Sequence, residues 1–304
     1  MTLLALLLIV ASAALHATWN YWGKKRQPSV GFFWIANLAS LGALLPFALF
    51  HLDTFLRLPR EVWQLGIASG GCLAIYFGAL ATSYRLGELS VAYPLARSSP
   101  ILVVMATTAL LGRGDEVGWG CAAGSVLIVA GCIFVPLEKL SDLSWRCFVC
   151  ASCGFAFVAA CGTAGYSILD DEALRLWRAW GEVESGGDSA RSVFLYATIQ
   201  AAACAVWLSI PLIDRKEERR VLVEVWRTKR RAAIAAGVVI VLTYSLVLGA
   251  MEFVENVSYV VAFRQLSIPI GVAMGAFLLK EKVAPVRWVG VALLVAGLAL
   301  VAVA

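Results

Sequence analysis

Two arginines lie inside long apolar stretches of the sequence, at matching places 167 residues apart: Arg97 and Arg264. A charge at the centre of a membrane-spanning helix costs about 3 kcal/mol or more, so such a residue usually has a specific role. The planar guanidinium donates paired hydrogen bonds that suit a carboxylate, phosphonate or sulfonate group. The two arginines therefore predict a buried site for an anionic group. The alternative is a structural arginine bonded to helix carbonyls or to a carboxylate.

Aromatic and polar residues on neighbouring apolar segments are candidates to surround these arginines. Tyr76 and Tyr244 fall in the middle of their segments, where a belt of interfacial tyrosines does not explain them. His16 could take up protons, although an interfacial Trp beside a helix-end Asn is the plainer interpretation of H-A-T-W-N at 16–20. The predicted substrate-binding residues are Arg97, Arg264, Tyr93, Tyr76, Tyr244, Trp19, Asn20, His16, Tyr166 and Gln265.

Acidic residues are few and fall near the ends of the apolar segments. We expect them at helix ends, where they are solvated or paired with a basic residue; they are Glu88, Asp170, Asp171, Glu252 and Glu255. Gly162, Tyr166 and Asp170 share one helical face, since they are four residues apart. Glu252, Glu255 and Asp170 are the candidate gating residues, through pairing with an arginine.

The elements that must position these side chains are apolar helices. The chain of 304 residues is 61% hydrophobic and 15% charged, whereas soluble domains average about 25% charged residues. Ten segments approach the roughly 20 apolar residues needed to cross a bilayer. They cover residues 2–22, 29–51, 62–83, 90–111, 117–137, 147–168, 192–213, 232–253, 257–279 and 286–304. We predict an all-α membrane protein with ten transmembrane helices.

Two connections between these segments are long, 169–191 and 214–231. The second is rich in Lys and Arg and places Leu222, Val225 and Trp226 at helical spacing. It is either a short amphipathic helix on an anionic lipid surface or a solvated basic loop. Basic residues are more numerous after odd-numbered segments, which predicts both termini outside the cytoplasm.

The sequence also repeats itself. G-S-V-L-I-V-A-G at 124–131 matches G-V-A-L-L-V-A-G at 290–297. The repeat divides the chain into two five-helix units, 1–137 and 147–304, within one membrane domain. Because five is odd, the second unit enters the bilayer from the opposite side, as in the inverted repeats of secondary transporters.

Several function classes are not expected. H-E-x-x-H, G-x-S-x-G and the Walker A string are absent, so we predict no enzyme and no direct use of ATP. Cys147, Cys150 and Cys153 resemble a cluster motif, but a three-residue step rotates each thiol by about 60° on a helix. We predict no metal and no cofactor. The net charge of +5 comes from loops, so nucleic acid is not expected as a partner.

The chain resembles the EamA branch of the drug/metabolite transporter superfamily. The resemblance rests on L-H-A-T-W-N at 15–20 and L-S-V-A-Y-P-L-A-R-S-S-P at 89–100, and in the second half on A-G-Y-S-I-L-D, F-R-Q-L-S-I-P and L-L-K-E-K. It implies ten helices in two inverted five-helix repeats around a central substrate cavity. The small multidrug-resistance relatives depend on a glutamate in the first helix, whereas no acidic residue precedes Trp22 here.

Together these observations predict a secondary transporter that works by alternating access in the cell (inner or plasma) membrane. Its expected partners are the lipid bilayer and a small organic metabolite, anionic or zwitterionic; a homodimer is left open. Two alternatives remain at this point. One is a flippase for lipid-linked or amphiphilic cargo, and the other is a non-transporting membrane sensor or scaffold.

Overall fold

The computed structural model of the protein describes most of the chain, and every regular element in that part is helical. The described residues are 2–23, 29–86, 100–107, 119–135, 137–142, 151–184, 189–254, 257–278 and 283–303. The α-helices, numbered in chain order, are α1 (Leu3–Gly23), α2 (Val30–Phe50), α3 (Leu52–Arg57), α4 (Arg60–Leu86), α5 (residues 100–107), α6 (Trp119–Phe134), α7 (Ala151–Glu184), α8 (Ser189–Asp214), α9 (Lys216–Met251), α10 (Val257–Phe263), α11 (Ser267–Leu278) and α12 (Pro285–Val303). Short 3-10 helices cover Leu140–Asp142 and Arg264–Leu266.

Seven helical stretches are long and apolar enough to cross a membrane, by length and composition. They lie in α2, α4, α7, α8, α9, the α10–α11 segment and α12. Two shorter apolar helices are Leu3–Ala17 and Trp119–Phe134. In the described part of the chain, the prediction of an all-α membrane protein is confirmed.

The segment predicted as a long connection at 169–191 is helical as far as Glu184. The 214–231 segment is helical from Lys216, as one of its two alternatives predicted. These stretches are too polar for lipid, but they are rich in good helix formers such as Ala, Leu, Glu and Arg. Each also buries an apolar residue, Leu174 in α7 and Val225 in α9. Polarity therefore ended the apolar segment without ending the helix.

The helices pack in a few extensive pairs. Helix α4 lies against both α7 and α8, α2 lies against both α8 and α9, and α1 lies against α9. Helix α6 packs mainly on α12. Side chains with polar atoms join some of these pairs: Asn37 donates to the carbonyl of Ala201 at 2.7 Å, and Ser40 donates to the carbonyl of Gly237 at 2.8 Å.

Four glycines form the contact between α6 and α12, and we call this contact the glycine seam: Gly124, Gly131, Gly290 and Gly297. A Cβ atom on Gly124 would lie 2.6 Å from the carbonyl oxygen of Gly297, and one on Gly131 would lie 2.6 Å from that of Gly290. Backbone touches backbone here, so a side chain has no room. Close approach of this kind is how small residues hold helices together in membranes.

Candidate functional site

Arg264 lies where a membrane helix changes its hydrogen-bonding pattern. Helix α10 ends at Phe263, the 3-10 turn covers Arg264–Leu266, and α11 begins at Ser267. Pro269 explains the change, because its ring removes the N–H that would bond to residue 265 and clashes with that carbonyl. The hydroxyl of Ser267 donates to the carbonyl of Arg264 at 3.0 Å. A 3-10 stretch inside a helix often marks a functional position.

Two tyrosine rings hold the guanidinium of Arg264. Its Nη2 donates to the hydroxyl of Tyr166 at 3.0 Å. Its Cζ lies 5.7 Å from the ring centroid of Tyr166 and 5.8 Å from that of Tyr244, within the range of cation–π attraction. The two rings meet edge to face, with centroids 5.5 Å apart. The cation is thus fixed by side chains from α7 and α9.

A small cavity opens beside this arginine. Its lining residues are Tyr76, Pro100, Thr163, Tyr166, Val261, Arg264 and Gln265. The cavity has a volume of about 20 Å³, which is close to the space that one water molecule needs. The described residues around it therefore form a site that is closed to anything of metabolite size. Widening it requires the surrounding helices to move apart.

Asp170 forms a second polar group, which is linked to Arg264 through Tyr244 and contacts three other helices. Its carboxylate accepts hydrogen bonds from Ser69 of α4 at 2.5 Å and from Tyr196 of α8 at 2.6 Å. Gln200 of α8 donates to both carboxylate oxygens at 3.1 Å, and Tyr244 of α9 donates to Oδ2. We call these five residues the Asp170 cluster.

The expectation that Asp170 and Asp171 lie at a helix end is wrong. Helix α7 continues past both residues, and their exposures are 0% and 1%. Asp171 is paired with Arg175 one turn later, at 3.1 Å. Polar residues on neighbouring helices make this burial tolerable for Asp170, because they satisfy its oxygens.

Glu252 does lie at a helix end, directly after Met251 of α9. Its carboxylate is paired with Arg178 of α7 at 3.1 Å and accepts a hydrogen bond from Ser192 of α8 at 2.9 Å. The other end of α9 is also tied by an ion pair, between Glu218 and Arg85 of α4 at 3.2 Å. Helix α9 thus carries a carboxylate-to-arginine contact near each terminus and Tyr244 between them.

Five predicted site residues come together in the structure: Tyr76, Tyr166, Tyr244, Arg264 and Gln265. His16 is partly buried on α1, and it is not among the residues that line the described cavity.

The remaining predicted residues lie in parts of the chain that the structure does not describe. Arg97, Tyr93, Glu88 and Glu255 lie outside the described residues, as do the side chains of Trp19 and Asn20.

Sequence reasoning missed three members of the Asp170 cluster, Ser69, Tyr196 and Gln200. Tyr196 and Gln200 are four residues apart on α8, so they lie on one helical face. A polar pair inside an apolar segment was the available signal. Among the described residues, no group of three or more His, Cys, Asp or Glu side chains is arranged to hold a metal ion.

The fold and the site define a multi-pass, all-helical membrane protein with a buried cationic centre. Residues 3–137 match the EamA-like transporter family, and over that part of the chain the resemblance is confirmed.

One solved structure covers nearly the whole chain. It is titled "Crystal structure of protein", and its fold matches this chain with a TM-score of 0.67. The sequence identity is 16%, and the match covers 98% of this chain and 97% of that one. At this identity the likeness establishes a shared fold alone. No curated protein matches the chain.

Proposed function

We propose that this protein is a secondary transporter that moves a small anionic or zwitterionic metabolite by alternating access, and that Arg264 binds the acidic group of the substrate. One observation carries the proposal: a guanidinium is held between two tyrosine rings at an interruption in a membrane helix, next to a cavity. Interrupted helices form the substrate sites of many secondary transporters. Arg97, its equivalent in the sequence repeat, lies outside the described residues and stays a prediction.

The proposal includes ten membrane helices in two inverted five-helix units, residues 1–137 and 147–304. The helix pairs support it. Exchanging α1 with α7, α2 with α8, and α4 with α9 converts the α4–α7 pair into α9–α1 and the α2–α9 pair into α8–α4. All four of these pairs are extensive contacts. Two related units around an axis between them account for this pattern.

The glycine seam supports the same symmetry. In the sequence repeat Gly124 corresponds to Gly290, and Gly131 corresponds to Gly297. In the structure Gly124 touches Gly297 and Gly131 touches Gly290. Exchanging the two units turns one contact into the other, and the two helices run in opposite directions. A two-fold axis perpendicular to both helices has these consequences, and inverted repeats have such an axis in the membrane plane.

Alternating access then requires the closed cavity to open to each side in turn. The ion pairs at the two ends of α9, Glu252 with Arg178 and Glu218 with Arg85, are proposed as contacts that form and break as the units rock. Asp170 and Glu255 were predicted as gating residues with Glu252. For Asp170, the hydrogen bonds to three other helices favour a role different from gating.

The first test is a thermal-shift screen of purified protein against small carboxylates, sulfonates and phosphonates, with uncharged amides as matched controls. An anion at 100 times its dissociation constant should add about 2.7 kcal/mol to the free energy of unfolding. Arg264→Gln should weaken binding about tenfold or more, because a hydrogen bond to a charged group is lost. Arg57→Gln, a matched change of an exposed arginine at the end of α3, should leave binding unchanged.

Transport of the stabilising anion is then measured in proteoliposomes. Uptake by the wild type and loss of uptake in Arg264→Gln are expected. Equal binding by a folded Arg264→Gln variant would remove Arg264 from the site. Movement of a labelled lipid instead of the anion would favour a flippase, and an anion that binds but is never moved would indicate a sensor.

A further inference from the structure

We infer that Asp170 is a proton-binding site coupled to Arg264: when a monovalent anion binds to Arg264, Asp170 takes up one proton. This inference rests on the proposed anion site and adds a coupling ion to it. The substrate anion and the proton would then move together, and a proton gradient would drive transport.

The hydrogen bonds of Asp170 are the first step of the argument. The side chain is fully buried, and in the described part of the chain every hydrogen bond that reaches its carboxylate comes from a neutral group. Three of the four donors are hydroxyls, those of Ser69, Tyr196 and Tyr244. A hydroxyl can donate or accept, so one of them can rotate to accept from a protonated carboxyl. The cluster can hold either form of Asp170 without leaving an oxygen unpaired.

Tyr244 and Tyr166 connect this carboxylate to the arginine. The hydroxyl of Tyr244 donates to Asp170, and the ring of the same residue lies 5.8 Å from Cζ of Arg264. Tyr166, one turn before Asp170 on α7, accepts a hydrogen bond from Arg264 at 3.0 Å. A change in charge at one group is therefore felt at the other across a single layer of side chains, where the effective dielectric is low.

The charge balance of the centre decides the direction of coupling. The titratable side chains around Asp170 are Cys72 from α4, Tyr196 from α8 and Tyr244 from α9. Arg264 lies against the rings of Tyr244 and Tyr166. The next residue, Asp171, is already paired with Arg175.

Of these described groups, Arg264 and Asp170 carry the opposing charges, so together they are neutral. A bound monovalent anion makes the centre negative, and burying a net charge is costly. A proton on Asp170 restores neutrality.

The experiment measures protons taken up when purified protein binds methanesulfonate, a monovalent anion that stays ionised at every pH used. Titration calorimetry in two buffers with different heats of ionisation gives the number of protons per bound anion. We expect about one proton in the range where free protein holds Asp170 ionised. Affinity should therefore rise about tenfold for each unit that the pH falls, because binding and protonation are linked. Infrared difference spectra should show the carbonyl stretch of a protonated carboxyl on anion addition.

The Asp170→Asn variant is the matched change, since it keeps the shape of the side chain and removes the titratable proton. It should bind methanesulfonate with no proton uptake and with an affinity independent of pH. Binding by the wild type without proton uptake and without the infrared band would overturn the inference while leaving the proposed anion site in place. Absence of binding by the wild type, or unchanged binding by Arg264→Gln, would instead remove the anion site, and the inference with it. The two wild-type measurements decide the question even if Asp170→Asn fails to fold.

Discussion

The glycine seam and the Asp170 cluster are both buried where helices from the two parts of the chain meet, but they join these helices in opposite ways. At the seam the contact residues are glycines, which have no side chain, so the backbones of α6 and α12 touch directly. In the cluster long polar side chains fill the space between α4, α7, α8 and α9.

The contrast between the seam and the cluster indicates which part of the fold is rigid and which part can rearrange. Helices in a bilayer gain little from the hydrophobic effect, so they are held by close packing and by hydrogen bonds. A backbone contact has one arrangement, because packed interiors do not deform gradually. A cluster of hydroxyls has several arrangements of similar energy, because each hydroxyl can donate or accept. We expect the seam to be a fixed axis and the cluster to be the part that responds to ligand.

The largest effect is expected from adding a side chain at the seam. Gly124→Leu places a branched chain where even a Cβ would lie 2.6 Å from the carbonyl oxygen of Gly297. Overpacking of this kind costs about 3 kcal/mol, and most of the protein should lose its fold. The fraction that remains monodisperse in detergent after heating measures the loss. Gly42→Leu on α2 is the matched control, because no atom lies within 4 Å of a Cβ there. If both variants were equally stable, the seam would not be a rigid contact.

A smaller effect is expected from removing one hydroxyl of the cluster. Tyr196→Phe deletes the donor 2.6 Å from Asp170 and leaves three other donors on that carboxylate. The free energy of unfolding should fall by about 1 kcal/mol, since hydrogen bonds between membrane helices are worth about 0.6 kcal/mol on average. Denaturation in mixed detergent micelles gives the value. A loss as large as that of Gly124→Leu would mean that the cluster is as rigid as the seam.

The ion pair near the C-terminal end of α9 should contribute less than 1 kcal/mol. Glu252 is almost fully buried, whereas Arg178 keeps about a third of its surface. A double-mutant cycle with Arg178→Gln and Glu252→Gln isolates the coupling energy. We expect about 0.5–1 kcal/mol, because solvent screens the exposed third of Arg178. A coupling energy of zero would argue against a contact that must break for the site to open.

The smallest effect is expected at the other end of α9. Arg85 is 59% exposed in its pair with Glu218, so the same double-mutant cycle should give about 0–0.5 kcal/mol. That value should vanish in high salt, where exposed charges are screened. A coupling energy above that of the Arg178–Glu252 pair would reverse the proposed order of the two ends.

The sequence alone determined the class of the protein and part of its site. Long apolar segments at low charge require membrane helices. The spacing of Tyr166 and Asp170 placed both on one face of a helix, and this inference holds because helical periodicity depends on neighbouring residues. The depth of Arg264 in its segment predicts a binding residue, and that role stays a prediction.

Only the tertiary structure decided which helices meet and what the acidic residues do. Ser69 and Asp170 are 101 residues apart in sequence, and no local pattern relates them. Polarity after residue 168 predicts the end of a helix, whereas packing against α4, α8 and α9 keeps Asp170 inside one. A carboxylate is stable in water or when it is surrounded by hydrogen-bond donors. Whether a buried position is possible therefore depends on donors that other helices supply.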